Sequence, residues 1–246
     1  MSLNFGEIVE PSTRAFWDDY DEEVADEENT FATSLEWIWY HDQEELTDEQ
    51  EMQKTLASPF RFVIVEGQKV GGFIGKVLQD GQCKPICQLS CGTVSVFHLP
   101  DEKLLLCVSE ELEPNLFGAI AQKLSRWVEA AETVSTVSLQ PAVLYKGLAE
   151  HEQEKVCFIK ALGSVETFLA DIGPLEAPNV ITGVAAGVAS YRKFSGKQSV
   201  VYGCYLDSVI LDSVSSAPIL RLLKALRVPC ADRYELKFKT TSNLYM

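Results

Sequence analysis

Cysteines recur every four residues at Cys83, Cys87 and Cys91. On one helix face that spacing would offer three thiolates to a soft metal. Pro85 and Gly92 argue against a helix there, and no nearby histidine supplies a fourth ligand, so thiols half-buried on a strand and loop account for them better. Ser164, His151 and Asp171 have the residue types of nucleophile, base and orienting group. No serine sits in a Gly-x-Ser-x-Gly elbow, however, and nothing local supports a triad; His41 and His98 lie far from His151 in sequence. Gly71-Gly72-x-x-Gly75 looks like a phosphate-binding turn, but its spacing matches neither dinucleotide nor P-loop patterns, and close packing of a helix on a strand explains it. Asp207 ends a strand-like run and Asp212 follows in the next loop. Ligand-binding residues gather at such strand ends in open α/β sheets, whereas a turn or helix-capping aspartate is the plainer role. This inventory yields no catalytic, cofactor-binding or metal-binding residue.

The end of the chain offers a different chemistry. Leu244 can fill an apolar notch, and Tyr245 brings a flat ring with a hydroxyl that needs a partner when buried. The Met246 carboxylate can pair with a lysine at a pocket floor, a charge-assisted contact. Lys237 to Asn243, just before them, is polar and lacks helical periodicity, as suits an extensible arm.

Short apolar runs mark the elements that would carry such groups: Phe60–Val65, Val94–Phe97, Leu104–Val108, Val134–Leu139, Val156–Ala161 and Val200–Leu206. Unalternated runs of this length read as strands buried on both faces. Between them, Asn115–Ala131 puts Leu116, Phe117, Ile120, Leu124, Trp127 and Val128 on one helix face. The stripe Ile219, Leu222, Leu223 and Leu226 predicts a last helix, with Ser216 able to cap it and Pro218 near its first turn. Leu46–Leu56 is helix-compatible, and Trp37 and Trp39 alternate as in an edge strand or a strap. Gly183-x-x-x-Gly187, with Ala185, Ala186 and Ala189, makes a small-residue helix face, suited to close packing on the sheet or on a partner. Strands alternating with helices predict an α/β fold with a mostly parallel or mixed sheet covered on both sides, a three-layer α/β/α body.

The net charge of −15 is concentrated. Residues 1–54 hold 17 acids against Arg14 and Lys54, while residues 55–246 hold 19 of each sign. Runs such as Asp18–Glu23 are too charged to order by burial, so 1–54 is expected to be a partly disordered acidic leader, 55–239 the body and 240–246 a flexible tail. Acidity without a basic stripe argues against nucleic acid. The stretch 85–100 falls short of a membrane span, the start lacks a secretory pattern, and seven scattered cysteines read as reduced thiols, which together point to the cytoplasm. Six bases between Arg221 and Lys239 form a solvated helix face or an electrostatic guide for the tail.

Several stretches resemble the proteasome assembly chaperones: Phe5-Gly6-Glu7-Ile8-Val9-Glu10-Pro11, Pro174 to Val180 with the small-residue run Gly183–Ser190, Val201 to Asp207, and Thr240 to Met246. The ending Leu244-Tyr245-Met246 is similar to the tail called HbYX in proteasome-binding proteins. The resemblance implies a three-layer fold like that of nucleoside phosphorylases and a non-enzymatic role. It also implies a heterodimer with proteasome assembly chaperone 2, bound to 20S proteasome alpha subunits through Leu244, Tyr245 and Met246. It implies no cofactor, and nuclear or endoplasmic-reticulum association alongside the cytoplasm. The alternatives are a hydrolase- or phosphorylase-like enzyme, suggested by fold kinship, and a proteasome activator using the same tail.

Overall fold

A computed structural model describes residues 35–40, 47–80, 83–110, 113–147, 156–163, 169, 172–206 and 211–234. Nine strands form one mixed sheet: β1 (Trp37–Trp39), β2 (Arg61–Glu66), β3 (Pro85–Leu89), β4 (Val94–Leu99), β5 (Leu104–Ser109), β6 (Thr133–Pro141), β7 (Cys157–Leu162), β8 (Gly173–Pro174) and β9 (Val200–Leu206). Their spatial order is β1-β3-β4-β5-β2-β6-β9-β7-β8. The four central strands β5, β2, β6 and β9 run parallel. β1, β3 and β4 on one side and β7 on the other add antiparallel pairs. The expected α/β class holds, with the mixed form of the sheet.

The sequence of β2, RFVIVE, shows why the runs look unalternated. Phe62 and Ile64 enter a core with Leu105, Cys107, Trp127, Val184 and Val188. Val63 and Val65 point the other way, toward Phe73, Ile74, Ile219, Leu222 and Leu223. Both faces are apolar because both are covered, and each fully buried side chain of this kind contributes about 1.5–3 kcal/mol.

Among the described residues six α-helices cover those faces: α1 (Asp48–Leu56), α2 (Val70–Asp80), α3 (Phe117–Lys123), α4 (Ser125–Ala130), α5 (Val184–Phe194) and α6 (Ser213–Ala225). Two details differ from the sequence reading, the division of one helix and the cap of another. The expected Asn115–Ala131 helix divides at Leu124 into α3 and α4, after a 3-10 turn at Pro114–Leu116. Gly71, Gly72 and Gly75 stand inside α2, a helix following β2 as the packing reading of these glycines expected, and its Phe73 and Ile74 are buried. The cap of α6 is Asp212, whose carboxylate accepts from the Val214 and Ser215 N–H groups. Ser216 instead donates to the Asp212 carbonyl, and Pro218 lies in the helix interior. β1, only three residues long, is the edge strand that the alternating Trp37 and Trp39 allowed, and Cys87 stands on β3 as the strand-and-loop reading of the cysteines had it.

β1 falls within the acid-rich first 54 residues and α1 begins within them, yet both pack on the sheet. Leu35 and Met52 are buried in the core. Trp37 meets Trp127 edge-on at 5.3 Å, and Trp39 lies 6.0 Å from the same ring. α1 opens with a capping box at Thr47 and Gln50, and its Thr55 hydroxyl accepts from the Trp127 indole N–H at 2.9 Å.

Candidate interaction surface

Leu244, Tyr245 and Met246 lie outside the described residues, as do Ser164, His151, Asp171, Asp207 and His41. Among the described residues no group of three or more His, Cys, Asp or Glu could hold a metal ion. Cys87 is buried on β3, while Cys83 and Cys91 are half-buried. Burial pushes the thiols of Cys83 and Cys87 up, so they stay protonated and behave as small apolar groups. Asp212 is spent on its helix cap. His98 is partly buried on β4, and loss of solvation lowers its pKa.

The small-residue segment does form a helix, α5, and its sides divide. Val184, Ala185, Val188 and Arg192 face inward and are buried. Gly187 allows α3 to come close: a Cβ there would stand 2.9 Å from that of Ala121. Ala186, Ala189 and Lys193 look the other way. With Ile181, Val201 and Leu162 they line an open groove of about 470 Å³ between α5 and the β9–β7 end of the sheet. Leu162, Val180 and Phe194, in or next to the segments that form it, are exposed at 52%, 74% and 93%. The sequence left sheet and partner as alternatives for this helix. Its inner side takes the sheet and α3, and the outer side remains open.

The position of α5 is fixed at both ends. At its start Gly183 has φ +94, and a Cβ there would lie 2.5 Å from Glu66 Oε1, so only glycine fits. The Glu66 carboxylate, at the end of β2, accepts from the Ala185 N–H at 3.1 Å and from the Ser138 hydroxyl at 2.7 Å. A negative group suits a helix N-terminus, although burial raises the Glu66 pKa. At the other end Arg192, 3% exposed, donates to the carbonyls of Val128, Ala131, Glu132 and Gln198. Neither residue was singled out from sequence. Glu66 closes an apolar strand and Arg192 stands in an ordinary helical Arg-Lys pair, with nothing local to mark either as buried.

The bases Arg221, Lys224, Arg227 and Arg233 are exposed, while Leu222, Leu223, Leu226 and Val228 between them are buried. Lys224 pairs with Asp232 at 3.1 Å and Arg227 with Glu102 at 3.7 Å, both at the surface, where such pairs add little stability. The segment then returns to the body: the Ala231 N–H donates to the Phe73 carbonyl, and the Tyr234 ring lies 4.8 Å from that of Phe73.

No known family profile matches the chain. Its fold is that of a group of α/β proteins found in archaea and bacteria. A Thermoplasma acidophilum protein of unknown function superposes with a TM-score of 0.55 at 12% identity, covering 79% of this chain and 87% of that one. PbaA of Pyrococcus furiosus, described as an archaeal homologue of a proteasome-assembly chaperone, gives 0.50 at 12% identity, over 79% and 86%. At such identity these likenesses show the fold alone. Sequence similarity points to a particular relative: over 127 residues the chain is 30% identical to Proteasome assembly chaperone 1 of Xenopus laevis. That stretch is 51% of this chain and 44% of the relative, so the match spans less than half of the relative's length. The resemblance read from the sequence is thus found again by direct comparison. No helix among the described residues is long and apolar enough to cross a membrane.

Proposed function

We propose that this protein is a non-enzymatic proteasome assembly chaperone that works in the cytoplasm. The observation that carries the reading is the 127-residue similarity to Proteasome assembly chaperone 1; the PbaA-like fold is consistent with it. In this reading the body pairs with proteasome assembly chaperone 2, and the pair sits on the outer face of the forming 20S alpha ring. Leu244, Tyr245 and Met246 anchor it in a pocket between adjacent alpha subunits. Tyr234 is the last described residue, and the twelve residues beyond it can reach at most about 40 Å, given roughly 3.3–3.6 Å per extended residue. The domain scheme that goes with this is an acidic leader, an α/β body and a detachable tail.

The test is recovery of the tagged chain from cells, with bound subunits identified by mass spectrometry. Alpha subunits of precursor particles, together with assembly chaperone 2, are expected. Accumulation on mature active particles would instead indicate an activator, and absence of proteasome subunits would reject the reading. Deleting Leu244-Tyr245-Met246, or Tyr245→Ala alone, is expected to weaken alpha-ring binding about thirtyfold and leave the heterodimer intact. A buried tyrosine anchor typically costs about 2 kcal/mol on truncation. One residue added after Met246 should act almost as strongly, because it moves the carboxylate away from its partner.

The groove beside α5 is the face we assign to the partner subunit. A three-layer fold would cover this end of the sheet with a helix, and a helix about 10 Å across fits beside the small side chains of Ala186 and Ala189. Ala186→Arg points its new side chain into the groove and away from the core. Co-purification with assembly chaperone 2 should be lost while the melting temperature of the isolated chain changes little. Equal loss of both would assign Ala186 to the core, and retention of the partner would move the interface elsewhere.

A further inference from the structure

Val143, Leu144 and Val180 are exposed at 85%, 74% for the last and 60% for Leu144, and the structure holds them in one place. Residues 142–144 form a 3-10 turn at the end of β6. Tyr145 anchors that turn, its buried ring meeting those of Tyr205 at 4.8 Å and Phe158 at 5.2 Å. The Asn179 side chain ties the segment before α5 to it, accepting from the Lys146 N–H at 2.7 Å and donating to the Lys146 carbonyl at 2.9 Å. It also donates to the Glu176 carbonyl. Apolar side chains gathered and braced in this way mark an interaction site, unlike ones scattered singly. The exposed Lys146 and Glu176 lie beside them.

The chain beyond Tyr234 starts close by. Tyr234 packs on Phe73, in the first turn of α2 just past the end of β2. β2 and β6 are paired neighbours, about 5 Å apart. Gly67, after β2, lies against Leu139 of β6, and Leu139 packs on the core that contains Phe73. The ten residues 235–244 span at most about 35 Å. That is several strand spacings, enough to bring Leu244 and Tyr245 to the turn that follows β6. The chemistry matches too. The tail offers two apolar side chains and then a carboxylate, with Lys237 and Lys239 before them. The patch offers apolar side chains flanked by one cation and one anion.

We propose that, in the absence of an alpha ring, Leu244 and Tyr245 dock on Val143, Leu144 and Val180, with the Met246 carboxylate on Lys146. The tail is then a ligand of its own body. A tether of this length gives an effective concentration in the millimolar range, so even a weak site is filled. The docking is independent of what else the tail binds. Its consequence rests on the tail reading proposed above: the anchor is masked until an alpha-ring pocket competes for it, and its apparent affinity falls by the free fraction.

Carboxypeptidase digestion of the full-length chain, followed by mass spectrometry, reads the docked fraction, because cleavage tracks the population of the open form. Leu144→Asp and Val143→Asp should each release Met246 about tenfold faster than wild type, the ratio for a millimolar tether and a site of about 0.1 mM. Both positions are exposed, so the melting temperature should hardly move. Lys146→Glu should give part of the same effect, and Lys146→Arg should keep the wild-type rate. Equal release from wild type and both Asp variants overturns the proposal. So does protection that disappears on dilution, which would assign the patch to a second copy. Loss of assembly chaperone 2 from Leu144→Asp at an unchanged release rate overturns it in favour of the partner subunit. Alpha-subunit binding is measured separately, and Leu144→Asp should bind about tenfold more tightly. Protection without any alpha-subunit binding would reject the proposed function and support the docked tail; binding without protection would do the reverse.

Discussion

Truncation after Tyr40 should unfold or nearly unfold the protein, whereas truncation within the acidic run up to Asp26 should leave its melting temperature almost unchanged. The contrast separates charge from packing. So acidic a run has little apolar surface to bury. The six residues 35–40 are of another kind. Leu35 is 4% exposed. Trp37 and Trp39 pack on Trp127, a fully buried ring that also meets Phe62. Glu36 and Tyr40 exchange backbone hydrogen bonds with Ser90 and Ile86. Losing one fully buried side chain, two half-buried tryptophans and a strand pairing should cost about 4 kcal/mol or more, against a total stability of roughly 5–15 kcal/mol. For a chain of this size that is a fall of at least about 8 °C. Thermal denaturation of the two truncations checks it. A large loss on trimming only the acidic run would mean that the run packs or pairs with the body.

Arg192→Ala should be the most damaging single substitution of a charged residue in the described body. The guanidinium ties three carbonyls at the end of α4 and after it to a fourth before β9. Removing it strands the Val128 and Ala131 acceptors in a buried place and opens a cavity. Hydrogen bonds to a charged group are each worth about 1.5–3 kcal/mol, and the set should cost at least 3 kcal/mol together. Arg192→Lys should recover only part of this, since one ammonium cannot reach four carbonyls spread around a planar fork. Urea denaturation of the two variants reads the difference. A fully stable Arg192→Lys would show that charge alone, and not the fork, fills the site.

Much of the body could be read from the chain because burial on both faces leaves a plain mark. The runs at Phe60, Leu104, Val134 and Val200 carry enough adjacent apolar residues to announce central strands. The edges were less legible. β1 is three residues long, and its alternating tryptophans left edge strand and strap as alternatives; β3 contains Gln88 and begins at Pro85, so only the spacing of its cysteines pointed to a strand and loop. The glycines of α2 lower helix propensity but leave room for close packing, and that packing is what the sequence reading took from them. The open side of α5 could be anticipated only as small residues, and the close approach of α3 to Gly187 on its inner side needed the position of Ala121. Glu66 and Arg192 could not be found from pattern at all. Apart from Gln198, the groups their roles depend on are between 60 and 119 positions away along the chain.

The strand order also sets a timetable for synthesis. β1 to β5 all lie on one side of the sheet, ending at β2, so that half is complete in sequence once Ser109 has been made. The second half does not grow outward in turn. β9 is made last yet inserts between β6 and β7, and until it arrives β7 has only the two-residue β8 as a neighbour. At about 5–20 residues per second that gap lasts a few seconds. During it Phe158 and its apolar neighbours have no strand on their inner side. A newly made chain thus presents an unsatisfied strand edge late in translation, at the same end of the sheet as the open groove. A partner already present at that moment would meet it before solvent-driven self-association does.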